Sequence, residues 1–221
     1  MARLKTNGMA PRIREFRLPE LEAGTVEDLL GGGYVEVLHF TGYDRNLLDL
    51  TDGRVEDCLF SELNIGELSM RNARYIQCEF KQLSAPIVEG AGATLNDVRM
   101  IHSRFGSADL SDSSTDSVVF DHCKFGWVNL RSAQLRDVLF RDCSFDEIDL
   151  QQAKAQRVRF ENCRTGTLSV ERANLSSVDL TGLEMSQVQG IEGLRGATIS
   201  EQQLSSLSHE FAAYLGLRIK D

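Results

Sequence analysis

From Leu48 to Met185 every fifth residue is apolar or small, and so is the residue two places before it, with no slip of register. The central positions include Leu50, Val55, Phe60, Ile65, Met70, Tyr75 and Phe80, and run on through Phe120, Phe125, Leu130, Leu135, Phe140 and Phe145. The earlier positions include Cys58, Leu63, Leu68, Ala73 and Cys78. Neither set contains a charged residue anywhere in the run. A helix repeats every 3.6 residues and a strand every two, so neither produces a period of five.

A longer period lies over the short one. Reading every twentieth residue gives columns of one chemical type: Phe40, Phe60, Phe80, Met100, Phe120, Phe140, Phe160, Leu180 in one, and Cys58, Cys78, Val98, Val118, Val138, Val158, Val178 in another. Four pentads per repeat mean four sides per turn, with two residues of each pentad inward and three outward. A single turn cannot bury its inward face alone, so turns must stack, at the inter-strand spacing of about 4.8 Å. The expected fold is all-β, a right-handed quadrilateral β-helix of about seven to eight turns. With aromatics at 7% of the chain, its core must be filled mainly by smaller side chains.

The pattern resembles the pentapeptide-repeat family, whose loose motif is Ala-Asp/Asn-Leu followed by two free positions. Ala108-Asp109-Leu110-Ser111-Asp112 and Ala173-Asn174-Leu175-Ser176-Ser177 come nearest to it, while Cys143-Ser144-Phe145 keeps the inward pair and changes the polar residue. The resemblance implies the β-helix. It extends more distantly to the gyrase-protecting members of the family, thought to imitate duplex DNA through rod shape and negative charge, and so places DNA gyrase among the conceivable partners.

Three regions are expected: an N-terminal tail and cap over 1–33, the solenoid over 34–193, and a C-terminal capping helix with an edge segment over 194–221. Solenoid ends expose core and backbone and need covering. Thr25 to Leu30 reads as a short helix with Thr25 at its N-cap and glycines 31–33 as its stop. Tyr34 to Phe40 reads as one strand, and residues 1–12 as a mobile tail. Ser200 with Gln203 forms a capping-box pair, and Gly216 is the expected stop. Leu204, Leu207, Phe211 and Leu215 fall on one face, expected to lie over the last turn, with Leu217 and Ile219 closing the edge. The same helix could instead face a second copy, as the resemblance implies, so monomer and homodimer both stay open.

A net charge of −9 argues against direct nucleic-acid binding and against docking on anionic lipid. No window approaches the roughly 18 apolar residues of a membrane span, no signal peptide is readable, and five cysteines without a secretory signal point to a reducing compartment. A cytoplasmic location is expected.

No catalytic constellation emerges, no cofactor is implied, and no metal site is assigned. Cys123, Cys143 and Cys163 stack in the core, where a ladder at about 4.8 Å diverges from any common centre. His102 and His122 share an outward column with Asp142, which reads as a surface ladder without supporting groups around it. The column Gly66, Gly106, Gly126, Gly166 suggests a corner of positive φ. Trp127 and Ile87 share another outward column and are candidate partner-binding residues, as is Phe211 in the terminal helix. One side collects acids, among them the candidates Asp109, Asp112 and Asp149. Eight acids against three arginines leave it a net charge of −5, whereas duplex DNA carries about twenty charges over the same length. The expected role is therefore a non-enzymatic interaction or scaffold module with an unidentified protein partner. A DNA-mimicking modulator of gyrase or topoisomerase is the alternative.

Overall fold

The computed structural model describes residues 10–29 and 33–220. Parallel strands form two sheets. One has twelve strands, from Glu22–Ala23 at the start to Ala197–Thr198 at the end, and the other has eight, from Asp44–Asp49 to Leu183–Gln189. Partners are offset by one 20-residue turn, as in Val118↔Val138 and Phe120↔Phe140. Stacked rings measure the rise directly: Phe60–Phe80, Phe120–Phe140 and Phe140–Phe160 have centroids 4.8 Å apart. The solenoid has about nine turns, slightly more than the period alone suggests, because short strands at both ends add rungs outside the regular repeat.

The inward pairs form one continuous core. Phe40, Phe60, Phe80, Leu95, Val118, Phe125, Leu168 and Leu175 are all but inaccessible. Burying a side chain of this size stabilises by about 1.5–3 kcal/mol, and the stacked aromatic ladder adds further to each ring.

The chain turns corners with a left-handed residue at three of its four corners. Asp112, Ser117 and His122 have φ of 56°, 62° and 53° within one turn, and the same columns repeat this along the rod. Asp, Asn and His are the side chains that tolerate this region best, which explains many of the polar residues in these columns. The fourth corner, at Ser107 and Trp127, does not use it. The expectation of positive φ at Gly66, Gly106, Gly126 and Gly166 is therefore corrected. A Cβ there would lie 2.7 Å from the Asn46 carbonyl oxygen at Gly66, 2.5 Å from that of Pro86 at Gly106, and 2.7 Å from that of Asp146 at Gly166. Close approach of the preceding rung selects glycine here.

At the front, helix α1 (Val26–Leu29) is capped from within: the Asp28 carboxylate accepts from both the Thr25 N–H and the Thr25 hydroxyl at 2.8 Å. The single strand expected over 34–40 is two, Tyr34–Glu36 and Leu38–Thr41, because Val37 between them adopts φ 58°. Leu30 and glycines 31 and 32, part of the expected helix end, lie outside the described residues, as do residues 1–9 of the expected tail. From residue 10 the chain runs along the solenoid as an arm. Arg12 N–H donates to Asp137 Oδ1 at 2.7 Å, Arg14 N–H to the Ser117 hydroxyl at 2.9 Å, and the Arg14 guanidinium to Asp97 at 2.7 Å. Phe16 is buried with Arg99 over its ring, 4.4 Å from the centroid. Asp97, Ser117 and Asp137 belong to one left-handed corner column, so the arm follows that corner across successive turns.

At the back, the one expected helix is two, α2 (Glu201–Ser206) and α3 (Ser208–Tyr214), broken at Leu207. The capping box is present, and the Gln203 side-chain amide also donates to the carbonyls of Leu180 and Leu183, both at 2.7 Å. Only Leu207 is buried and Phe211 half-buried against the core, whereas Leu204 and Leu215 are exposed, because the break rotates them off the common face. Leu217 and Ile219 are exposed as well and do not close the edge. Gly216 ends the helix at φ 69°, the left-handed conformation that its place after the last turn calls for.

Candidate functional site

The fourth corner lies inside the eight-stranded sheet, where Ile87, Ser107, Trp127, Glu147 and Thr167 follow one another rung by rung. Leu47 and Glu67 begin the same column. Its large apolar members, Leu47, Ile87 and Trp127, therefore recur on alternate rungs, about 9.6 Å apart. Leu47 is 56% and Ile87 43% exposed, and Trp127 is half-buried. The glycine column beside them leaves backbone bare, and the next outward column carries Arg104, Lys124 and Arg164, all exposed. Diagonally opposite, two corners away, the N-terminal arm covers the rod.

The acidic candidates are not equivalent. Asp149 is 1% exposed: its Oδ1 accepts the Gln151 N–H at 3.0 Å, and its Oδ2 accepts from Arg131 at 2.6 Å. Asp109 accepts from the Ser111 N–H at 3.0 Å and from the Asn129 amide at 2.8 Å. Glu89 pairs with Arg71 at 2.5 Å. The two aspartates close the turn that follows them, a local role that spacing alone did not reveal. Asp112 is exposed.

Phe211 lines a shallow apolar depression of about 340 Å³ with Ile191, Leu194, Ile199, Tyr214 and Leu215. The five cysteines are buried and free. Each thiol of the Cys123, Cys143, Cys163 ladder reaches the backbone carbonyl of the preceding turn: Met100, Phe120 and Phe140 at 3.3, 3.5 and 3.5 Å. His39 bonds the Ser61 hydroxyl at 2.7 Å. The rings of His102 and His122 lie on adjacent turns with centroids 4.9 Å apart, tilted 51° to each other.

The arm's anchor is the strongest electrostatic feature the sequence concealed. Asp137 and Arg157 are both largely buried and pair through two bonds of 2.6 Å. Burial alone would raise the Asp137 carboxyl, but the Arg157 guanidinium and the Arg12 N–H outweigh it and hold it below the usual carboxylate value. Among the described residues, no helix is long and apolar enough to cross a membrane.

Residues 113–189 match the family described as pentapeptide repeat region. No curated protein matches the chain. Among solved structures, a trypsin-treated variant of QnrB1, a plasmid-mediated fluoroquinolone resistance protein, is 18% identical. That match covers 86% of this chain and 91% of the other, with a TM-score of 0.31. Full-length QnrB1 is 16% identical over 81% of this chain and 97% of its own, with a TM-score of 0.28. The inward pair in every pentad and the four pentads per turn build a pentapeptide-repeat type of β-helix, and residues 113–189 within it match the family's repeat region.

Proposed function

We propose that this protein is a non-enzymatic protein-interaction module whose partner lies along the edge carrying Leu47, Ile87 and Trp127. The recurrence of exposed apolar side chains on alternate rungs of one corner column supports this reading. Parallel strands hold the three in fixed register, so little conformational entropy is lost on binding, and a half-buried Trp is the kind of anchor that dominates interface energetics. Arg104, Lys124 and Arg164 alongside favour a partner with acidic character. The acidic side is a weaker surface for imitating DNA, because Asp149, Asp109 and Glu89 are engaged within the fold. The exposed apolar end at Tyr214, Leu215, Leu217 and Ile219 suits a second copy, the homodimer reading.

The test is capture from host lysate on the immobilised full chain at low and high salt, with gyrase subunits followed by immunoblot. A protein retained at high salt, and lost by at least about tenfold with Trp127→Ala, is the expected result, tenfold being about 1.4 kcal/mol. Gyrase recovered only at low salt, and lost on Asp112→Lys but not on Trp127→Ala, would replace this reading with the gyrase one.

A further inference from the structure

Asp121, His122 and Asp142 offer ligand atoms that all lie within 4.8 Å of one another, and the ring of His102 stands on the preceding turn. The arrangement is more specific than an outward ladder of polar residues. His122 Nδ1 lies 2.5 Å from Asp121 Oδ1, so the carboxylate fixes the ring by accepting the Nδ1 proton. That choice of tautomer leaves the Nε2 lone pair free, and Nε2 is the atom that faces Asp142. Its separation from Asp142 Oδ2 is 3.8 Å, too long for a hydrogen bond. Two ligand atoms on a tetrahedral zinc ion, each at about 2.0–2.1 Å from the metal, stand about 3.3 Å apart. The observed gap is thus about half an ångström wider than a shared ion requires.

Supporting groups are present on both ligands. Asn162, one turn further on, donates its amide to Asp142 Oδ1 at 2.5 Å and so leaves Oδ2 to the side of His122. Arg141 donates to the second oxygen of Asp121 at 3.4 Å. A carboxylate on the far nitrogen of a histidine and a hydrogen bond on the far oxygen of an aspartate are the contacts that orient metal ligands elsewhere. For His122 the expectation of no supporting groups is corrected accordingly.

We propose that His122 Nε2 and Asp142 Oδ2 form a site for one divalent transition ion of the zinc, copper or nickel class, with Asp121 positioning His122 and water completing the ion's shell. Imidazole and carboxylate together select such ions over calcium or magnesium. The two ligands come from consecutive turns, so the ion would clamp those turns at the corner.

The tag-free full chain, freed of metal with a chelator, is titrated with Zn²⁺ by calorimetry, and Cu²⁺ spectra count the nitrogen ligands. One ion per chain and one histidine nitrogen in the copper spectrum are expected. His122→Asn abolishes uptake, and Asp121→Asn weakens it about 10- to 100-fold, while His209→Asn changes nothing. The histidine-to-asparagine change at the site keeps the fold. His102 and His122 sit at φ 52° and 53°, where asparagine is well tolerated, and Asn162 already occupies the same column at φ 52°. No saturable uptake by the unmodified chain, or uptake that survives His122→Asn, overturns the proposal.

Discussion

Inward residues of this fold are chosen for size and neutrality, and the thiols show what that choice does to chemistry. Burial disfavours the thiolate, so Cys78 is pushed up to about 12 and Cys58 to about 11 from an ordinary value of 9.0. The folded chain thus holds these protons where the unfolded chain has already lost them. The stability they contribute is complete below pH 9.0 and is lost as the pH climbs from there toward the folded values. A flat urea midpoint from about pH 7 to about 8.5, then a decline above about 9, is expected. Replacing both with valine, the residue that continues their column at Val98 and Val118, should flatten that decline. An unchanged slope in the double variant would show that other groups dominate the alkaline loss. The inward column of Val55, Tyr75 and Leu95 was legible as core from spacing alone. The capping roles of Asp109 and Asp149 were not, because an outward aspartate looks the same in sequence whether it faces a partner or its own backbone.

The repeating strands and the terminal segments owe their positions to different forces. A strand of the solenoid is held by the rung on either side, whatever follows at the ends. The N-terminal arm has no such neighbours and depends on a few side-chain anchors, chiefly Asp137 with Arg157 and Arg12. Removing one partner of a largely buried pair costs about 3–5 kcal/mol. In Asp137→Asn the arm should therefore detach, while the solenoid beneath keeps its ladder. Trypsin should cut after Arg12, Arg14 and Arg17 at least tenfold faster than in the unmodified chain. Equal rates would show that Phe16 and the short strand Glu22–Ala23 suffice to hold it. Because the Asp137 carboxyl lies below its ordinary value of 3.8, its contribution is present above that pH and lost as pH falls through the lower folded value. Acid should thus free the arm only below about pH 3.8.

A stack of turns has two ends, and what covers them decides whether the rod stays single. The last turn is covered by Gln203 on the Leu180 and Leu183 carbonyls and by Leu207 and Phe211 on the core. Deleting residues 200–221 leaves those carbonyls and the core beneath Leu207 and Phe211 bare, with Ala197–Thr198 as an uncovered edge, a template for edge pairing or end-to-end association. Light scattering at rising concentration should show the truncated chain assembling under conditions where the full chain keeps a constant mass. A truncated chain that stays at constant mass would mean the cap contributes only locally. The exposed apolar residues beyond the break, Leu215, Leu217 and Ile219, are available for a different contact and leave the core cover intact.

The amino-acid order alone dictates the solenoid, its four sides and its core, because every pentad repeats the same inward pair and each pair reports independently on one period. It also shows that Trp127 and Ile87 share a column, since that follows from counting by twenty. Which outward residues are spent on the fold is decided only by tertiary contact. Asp137 meets Arg12 across 125 positions of sequence, and Arg14 meets Asp97 across 83, separations that no local pattern encodes. The helix break at Leu207 and the tautomer imposed on His122 by Asp121 likewise depend on where neighbouring atoms come to rest. Periodicity fixes the direction in which a side chain points, and packing then settles what it meets.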